Sequence, residues 1–369
     1  MKLTADRRHL LDRLSRAALF SPRRSSKEIL TRVLVKATAD DATAFATDTE
    51  VSIALGVECT VERPGNALIP PRVIALIKEC THEDVHIDAT AGKVAVTCGS
   101  ASLTFQVESP DEFPCPSFAI GDDVTTINAQ AFSRLIDRTT YACDVDSTRF
   151  ALGGVLFVVE DHSFVAVATD GRRLSLAQSK ATTLGTLPVN CIVPQRALSA
   201  ISKLSTVGDV SVWSDGNTFH LSSDGVKFSA RMVEGRFPNW KVAVPDMASY
   251  FKAEVASGLL ASAIKQAAIV TDAETRAVNL RFFDNALTIT ANSVEIGRSS
   301  VKVPIDYQDR LVEAKLDYRY CLDFLESAGD DAVVHFNQDS MPVVFQQAFD
   351  PKYDGESFTN SIMPMAKDK

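Results

Sequence analysis

Phe45-Ala-Thr-Asp48 returns as Val167-Ala-Thr-Asp170 and, more loosely, as Ile289-Thr-Ala-Asn292, so that the closing residues stand 122 positions apart each time. Working outward, Ile69-Pro-Pro-Arg72 recurs as Val193-Pro-Gln-Arg196, a step of 124, with Leu316-Asp-Tyr-Arg319 as a degenerate third copy 123 further on. Asp111-Glu-Phe-Pro114 returns as Glu234-Gly-Arg-Phe-Pro238, with the prolines again 124 apart. Three landmarks sharing one period divide the 369 residues into three homologous units, expected at 1–120, 121–250 and 251–369. A period this long exceeds the roughly 20–45 residues of stacked repeats and reads as tandem domains.

Each unit repeats one coarse pattern. A short strand (Leu3-Thr4, Thr125-Thr-Ile127, Tyr250-Phe-Lys252) precedes a helix whose apolar residues recur every three or four positions, such as Leu10, Leu11, Leu14, Ala17 and Ala18. A second helix lies halfway along each unit, at Val73 to Cys80, Ala197 to Leu204 and Tyr320 to Ser327. Alternating segments such as Val94-Ala-Val-Thr97, Val210-Ser-Val-Trp213 and Leu287-Thr-Ile-Thr290 read as strands. Ala91-Gly92, Ser214-Asp-Gly216 and Ser223-Asp-Gly225 separate them as turns. The predicted fold class is α+β. Three tandem homologous domains each carry two helices and about eight antiparallel strands, with sheets outside and a helix pair on one side. Each domain looks like two copies of a smaller βαβββ unit.

Composition narrows the setting. Hydrophobic residues make up 46% and charged residues 23%, which fits globular domains and excludes wholesale disorder. No apolar run approaches the ~18 residues of a membrane span, and the opening MKLTADRRHLL places charges where a signal peptide needs apolar residues. The seven cysteines are odd in number and form no CxxC pair, so a reduced cytoplasmic protein is expected rather than a disulfide framework or zinc ribbon.

A net charge of -9 argues at first against nucleic acid, but the predicted helices differ from the whole. Arg7, Arg8, Arg13, Arg16, Arg72, Lys78, Arg134, Arg138, Arg196, Lys203, Lys265 and Arg319, set against Asp12, Glu79, Asp137, Asp323 and Glu326, bring the six helices to +7, leaving -16 elsewhere. If the helices line one surface, it is basic on an acidic body and neutralises phosphates without reading bases. The alternative is a set of ordinary solvated helix faces.

Catalytic signatures are missing. There is no GxGxxG, Walker loop or GxSxG elbow. His82 and His86 have helical ligand spacing, but no further His or Cys is near them in sequence. Asp40-Asp41, Asp122-Asp123 and Asp330-Asp331 sit in turn-like contexts and are the candidates for holding Mg²⁺ in a nuclease. No catalytic residue, metal site or cofactor is expected.

The strings VATDGRRLSLA (167–177), VEGRFPNW (233–240), AAIVTDAETRAVNLRF (267–282) and SIMPM (361–365) resemble the bacterial DNA polymerase III β subunit, the sliding clamp, over essentially the whole chain. The resemblance implies a non-catalytic processivity factor. A head-to-tail homodimer would close into a ring around duplex DNA, with the helices facing the hole. The ring would tether the replicative polymerase α subunit, the clamp loader and other proteins that carry a clamp-binding motif.

By position, the resemblance adds Arg24 and Arg149 to the DNA-facing residues. It places Leu103 and Phe105 against Ile269 and Val270 of the partner subunit. It assigns a peptide-binding cleft to Leu152, Thr169, Gly171, Arg172, Arg173, Leu174, Pro238, Val242, Ala243, Val343, Ile362, Met363, Pro364 and Met365. Arg173 would anchor a polar group of the peptide, and flexible methionines suit varied ligands. The chain departs from the pattern at Val242, where arginine is frequent, at Arg172, where histidine is frequent, and in the tail Ala366-Lys-Asp-Lys369. The remaining readings are a metal-dependent nuclease or other DNA-processing enzyme, and a structural oligomer that binds no nucleic acid.

Overall fold

The computed structural model describes all residues except 119–120, 122, 145, 147, 205–206, 338–339 and 367–369. Six α-helices are present among the described residues: α1 (Arg7–Ala18), α2 (Pro71–Glu79), α3 (Ala129–Asp137), α4 (Gln195–Ile201), α5 (Ser257–Ala268) and α6 (Tyr318–Leu325). The second helices α2, α4 and α6 begin two residues earlier, and end one to three residues earlier, than the sequence reading places them. Three of the six helices start on a local signal. Asp6 caps α1 by accepting a hydrogen bond from the His9 amide at 2.8 Å, and Asp317 caps α6 through the Arg319 amide at 3.0 Å. Pro71 occupies the first turn of α2, where its missing N–H costs nothing. Leu10, Leu14 and Ala17 form the buried stripe of α1, with Leu11 and Ala18 half-buried at its margins, and Leu260, Ala263, Ile264 and Ala267 form that of α5, while Leu259 is exposed.

The chain forms two compact units, residues 1–130 with 196–232, and residues 131–195 with 233–369. In the first, a five-stranded sheet runs in the order Thr60–Arg63, Lys2–Asp6, Asp84–Thr90, Lys93–Cys98 and Ala101–Gln106. An eight-stranded sheet joins four strands of the second repeat to four of the first. Its seam is Val226–Arg231 against Val51–Val57, with Phe228 opposite Ile53. In the second unit, another eight-stranded sheet joins the second repeat to the third, Arg173–Lys180 pairing with Glu356–Ile362 and Leu176 opposite Thr359. A four-stranded sheet completes that unit in the order Gly297–Pro304, Ala286–Ser293, Ala277–Phe283 and Val312–Asp317. Among the described residues all strand pairings are antiparallel, which gives the alternating buried and exposed positions seen along most outer strands.

The compact units therefore follow shared sheets rather than repeat boundaries. The repeat defines the local fold, and backbone ladders fuse neighbouring repeats. Aromatic side chains fill the second unit: Phe282 stacks on Phe336 at 3.8 Å between centroids, and Phe324 on Phe358 at 4.5 Å.

Candidate partner-binding cleft and basic helices

The turn after Ala166-Val-Ala-Thr169 organises one end of the second unit. The Thr169 hydroxyl donates to the Arg173 carbonyl at 2.6 Å and accepts from the Gly171 amide at 3.0 Å. Asp170 Oδ1 accepts from the amides of Arg172 and Arg173, both at 2.9 Å. The turn needs a left-handed residue at its tip, and Gly171 supplies it at φ 85°. The next strand directs Leu174 into a cluster with Leu156, Val165, Val167, Ile192 and Phe237. Beyond the paired strand Glu356–Ile362, the Met363 amide reaches back to the Arg172 carbonyl at 2.9 Å and seats the SIMPM segment beside the turn.

A pocket of about 440 Å³ opens here. Eight of the fourteen residues assigned to the cleft line it: Thr169, Gly171, Arg172, Arg173, Leu174, Val242, Ala243 and Met363. Val242 and Met363 offer exposed apolar surface, 78% and 49% accessible. The other six do not line it. Leu152, Val343 and Ile362 are buried at 3%, 2% and 0% and belong to the core behind, while Pro238, Pro364 and Met365 lie outside the lining. The sequence reading missed Pro245, Asp246, Ser249, Tyr250, Met341, Pro342 and Ser361. Ser361 stood inside the quoted SIMPM string. The 246–250 residues come from a 3₁₀ turn (Met247–Ser249), and Met341 and Pro342 from a hairpin connection, neither of which carries a sequence signal. The Ser361 hydroxyl fastens this wall by donating to the Ala243 carbonyl at 3.1 Å. The Tyr250 hydroxyl is buried without a hydrogen-bond partner, and burial pushes its pKa up, so it remains a protonated donor.

Arg173 requires a correction. Its Nε donates to Asp170 Oδ2 at 3.1 Å, Nη1 to Asp323 and Nη2 to the Tyr141 carbonyl. Its guanidinium also lies 4.4 Å from the Tyr320 ring centroid. Every guanidinium nitrogen thus has an internal partner. The side chain braces the turn against α6 rather than anchoring a bound peptide.

The basic residues separate into two groups. Arg8, Arg24, Arg72, Lys78, Arg149, Lys203 and Lys265 are exposed, and Arg7 and Arg13 are half-buried. Arg196 is exposed but pairs with Glu50 and, at 3.4 Å, with Asp48. Arg134 is partly buried and bound by Glu356 through two contacts. Arg138 is 2% exposed, bonded to Glu356 Oε2 at 2.9 Å and Gln347 at 2.6 Å, so its assignment as DNA-facing is withdrawn. Helix periodicity shows which side of a helix is polar, but not that a later strand delivers a carboxylate to it.

Leu103 (39% exposed) and the half-buried Phe105 lie on the edge strand Ala101–Gln106 of the five-stranded sheet. Ile269, just after α5, is 76% exposed, and Val270 is half-buried. Among the described residues no group of three or more His, Cys, Asp or Glu side chains is placed to hold a metal. His86 Nδ1 meets the Thr4 hydroxyl at 2.7 Å, and the Asp84 amide donates to His82 Nδ1 at 3.4 Å. Asp41 is bonded to Thr38, Asp330 lies 4.0 Å from Lys352, and Asp122 is outside the described residues, as are the last three of the tail. Among the described residues no helix is long and apolar enough to cross a membrane.

Three α+β repeats fused through shared antiparallel sheets, with two helices each, define the clamp-domain class of DNA-replication proteins. The family models for the DNA polymerase III beta subunit match in order, the N-terminal domain at 1–117, the central domain at 126–239 and the C-terminal domain at 246–366. The chain belongs to the DNA polymerase III beta subunit family, whose members are non-catalytic processivity factors. It is 26% identical over 372 residues to the beta sliding clamp of Pseudomonas aeruginosa, covering 99% of this chain and 100% of that one. It is 25% identical over 336 residues to that of Chlamydia pneumoniae, covering 90% and 92%. Among solved structures, the P. aeruginosa clamp bound to griselimycin superposes with a TM-score of 0.91 at 23% identity, and a Caulobacter crescentus clamp with 0.87 at 25%, each over 100% of both chains. The nuclease reading finds no support in these relatives.

Proposed function

We propose that two copies of this chain close head to tail into a ring that encircles duplex DNA and holds a replicative polymerase on its template. Three domains per chain, at 1–120, 121–250 and 251–369, would give the ring six. Leu103 and Phe105 would meet Ile269 and Val270 of the partner subunit, so that pairing covers edge strands that would otherwise invite aggregation. Arg7, Arg8, Arg13, Arg24, Arg72, Lys78, Arg149, Arg196, Lys203 and Lys265 would face the DNA, with Arg134 contributing what Glu356 leaves of its charge. Contact through phosphates alone carries no sequence preference and leaves the ring free to slide.

The observation that carries the tethering role is the 440 Å³ pocket beside the Asp170 turn, with apolar walls and a small set of polar groups. It would receive short peptides of the polymerase α subunit, the clamp loader and other partners. Tethering raises the polymerase's effective concentration at the primer end, and processivity follows without any bond being made or broken by the clamp. The compartment would be the cytoplasm.

The test is direct. Light scattering after gel filtration should give about 80 kDa for two 40.0 kDa chains. Loaded by an ATP-driven loader, the protein should stay on closed circular DNA and leave on linearisation. Release from intact circles at the same rate would refute encirclement. Ile269→Asp with Val270→Asp should yield a folded monomer, and a surviving dimer would remove that interface.

A further inference from the structure

The turn at Asp170 has a twin at Asp48. There the Thr47 hydroxyl donates to the Val51 carbonyl at 2.9 Å and accepts from the Thr49 amide at 2.9 Å. Asp48 Oδ1 accepts from the amides of Glu50 and Val51 at 2.9 and 2.7 Å. The two turns differ in what they hold. At Asp170 the space between the turn and α6, the second helix of the next repeat, is filled by the Arg173 guanidinium, gripped by Asp170, Asp323, Tyr141 and Tyr320. Stepping back one repeat puts Val51 at the place of Arg173, Leu19 at that of Tyr141, Ala197 at that of Tyr320 and Ala200 at that of Asp323. These residues, together with Asp48, line an open cavity of about 150 Å³. One arginine, two aromatic rings and one carboxylate are replaced by short apolar side chains, while the carboxylate of the turn remains.

We infer that this cavity is a second ligand site on the chain, which takes an arginine side chain presented by a partner polypeptide. The guanidinium would lie against Asp48 as that of Arg173 lies against Asp170, with its stem along Val51, Ala197 and Ala200. Arg196 sits at the rim, pairing with Glu50 and, at the long distance of 3.4 Å, with Asp48 Oδ2. Two carboxylates against one guanidinium leave one negative charge over for an incoming cation, and a carboxylate oxygen accepts more than one donor. Leu19, 49% exposed at the mouth, offers apolar surface to residues flanking the arginine, which favours a polypeptide over a free metabolite. The site is separate from the cleft at Asp170 and does not depend on its role.

The probe is acetyl-Leu-Arg-Leu-amide, titrated into the full chain while methyl NMR signals of Leu19, Val51, Ala197 and Ala200 are followed. Saturable shifts at these methyls are expected, with a dissociation constant on the order of 1 mM. The norleucine analogue of the peptide should produce none. Asp48→Asn should weaken binding about tenfold, the scale of one charge-assisted hydrogen bond. Ala200→Asp, which restores the carboxylate that meets Arg173, should tighten it. Because Asp48 also holds the turn, Ala197→Phe serves as an independent variant that fills the cavity, and it should abolish the shifts. Absence of saturable shifts at about 20 mM probe, or undiminished binding by Ala197→Phe, would overturn the site. Agmatine binding as tightly as the tripeptide would overturn the polypeptide partner.

Discussion

Arg138 Nη1 lies 2.9 Å from Glu356 Oε2, with the two side chains 2% and 6% exposed, so a buried ion pair joins the residue that follows α3 in the second repeat to the last strand of the third. Gln347 takes a second hydrogen bond from Arg138 at 2.6 Å, and the rings of Tyr353 and Phe358 cover the guanidinium at 5.2 Å. Burial lowers the Arg138 pKa from its ordinary value, and Glu356 opposes that shift. The pair is a junction within the sheet-sharing unit rather than part of a DNA-facing surface.

Glu356→Ala should therefore destabilise this unit by about 3–5 kcal/mol, because it strands a buried guanidinium rather than merely deleting an attraction. Replacing both partners, as Arg138→Met with Glu356→Leu, should restore most of that loss. Urea unfolding of the wild type and the two variants checks this. A single variant with an unchanged midpoint would show that the pair is not holding the repeats together.

The twin turns make a second, opposed pair of predictions. Thr49 and Gly171 occupy the same left-handed position, at φ 80° and 85°. A β-branched residue is strained there and glycine is not. Thr49→Gly should stabilise the protein by about 1 kcal/mol, and Gly171→Ala should cost a similar amount although no atom lies within 4 Å of the new Cβ. Thermal melts of both variants decide it, and opposite signs are the expected result.

Partner binding at the cleft should respond to its exposed apolar walls. Val242→Ala and Met363→Ala should each weaken a polymerase-derived peptide about five- to tenfold, as expected from losing one to a few buried methylenes. Leu152→Ala, in the core behind the pocket, should lower stability with little change in peptide affinity. Fluorescence anisotropy with a labelled peptide separates the two. Equal effects on affinity would place Leu152 in the site after all.

Thiol chemistry should distinguish surface from core. Cys115 is exposed, whereas Cys98, Cys191 and Cys321 are buried. Burial pushes the Cys143 and Cys191 thiols up to about 12, and raises Cys59, Cys80 and Cys321 as well. Near pH 8 these groups are almost wholly protonated and poor nucleophiles. A maleimide or disulfide reagent should modify Cys115 rapidly in the native protein. Full modification should wait for denaturant, as mass spectrometry of timed samples would show.

Much of this protein was legible in one dimension. The return of Ala-Thr-Asp, the Pro-x-Arg helix starts and the apolar stripes of α1 and α5 depend on local rules, namely capping, turn geometry and helical period. Those rules act within a few residues and survive in every copy. The tertiary structure decided what long-range pairing brings together. Residues 134 and 138 read as free cations until a strand more than two hundred positions later supplied Glu356. Arg173 read as a ligand anchor until Asp323 and Tyr320 closed around it. The pocket wall of Tyr250, Met341 and Pro342 could not be foreseen, because irregular segments carry no periodicity. The repeats were visible as three, yet the compact units are two, since hydrogen bonds between edge strands obey geometry and not the boundaries of the repeat.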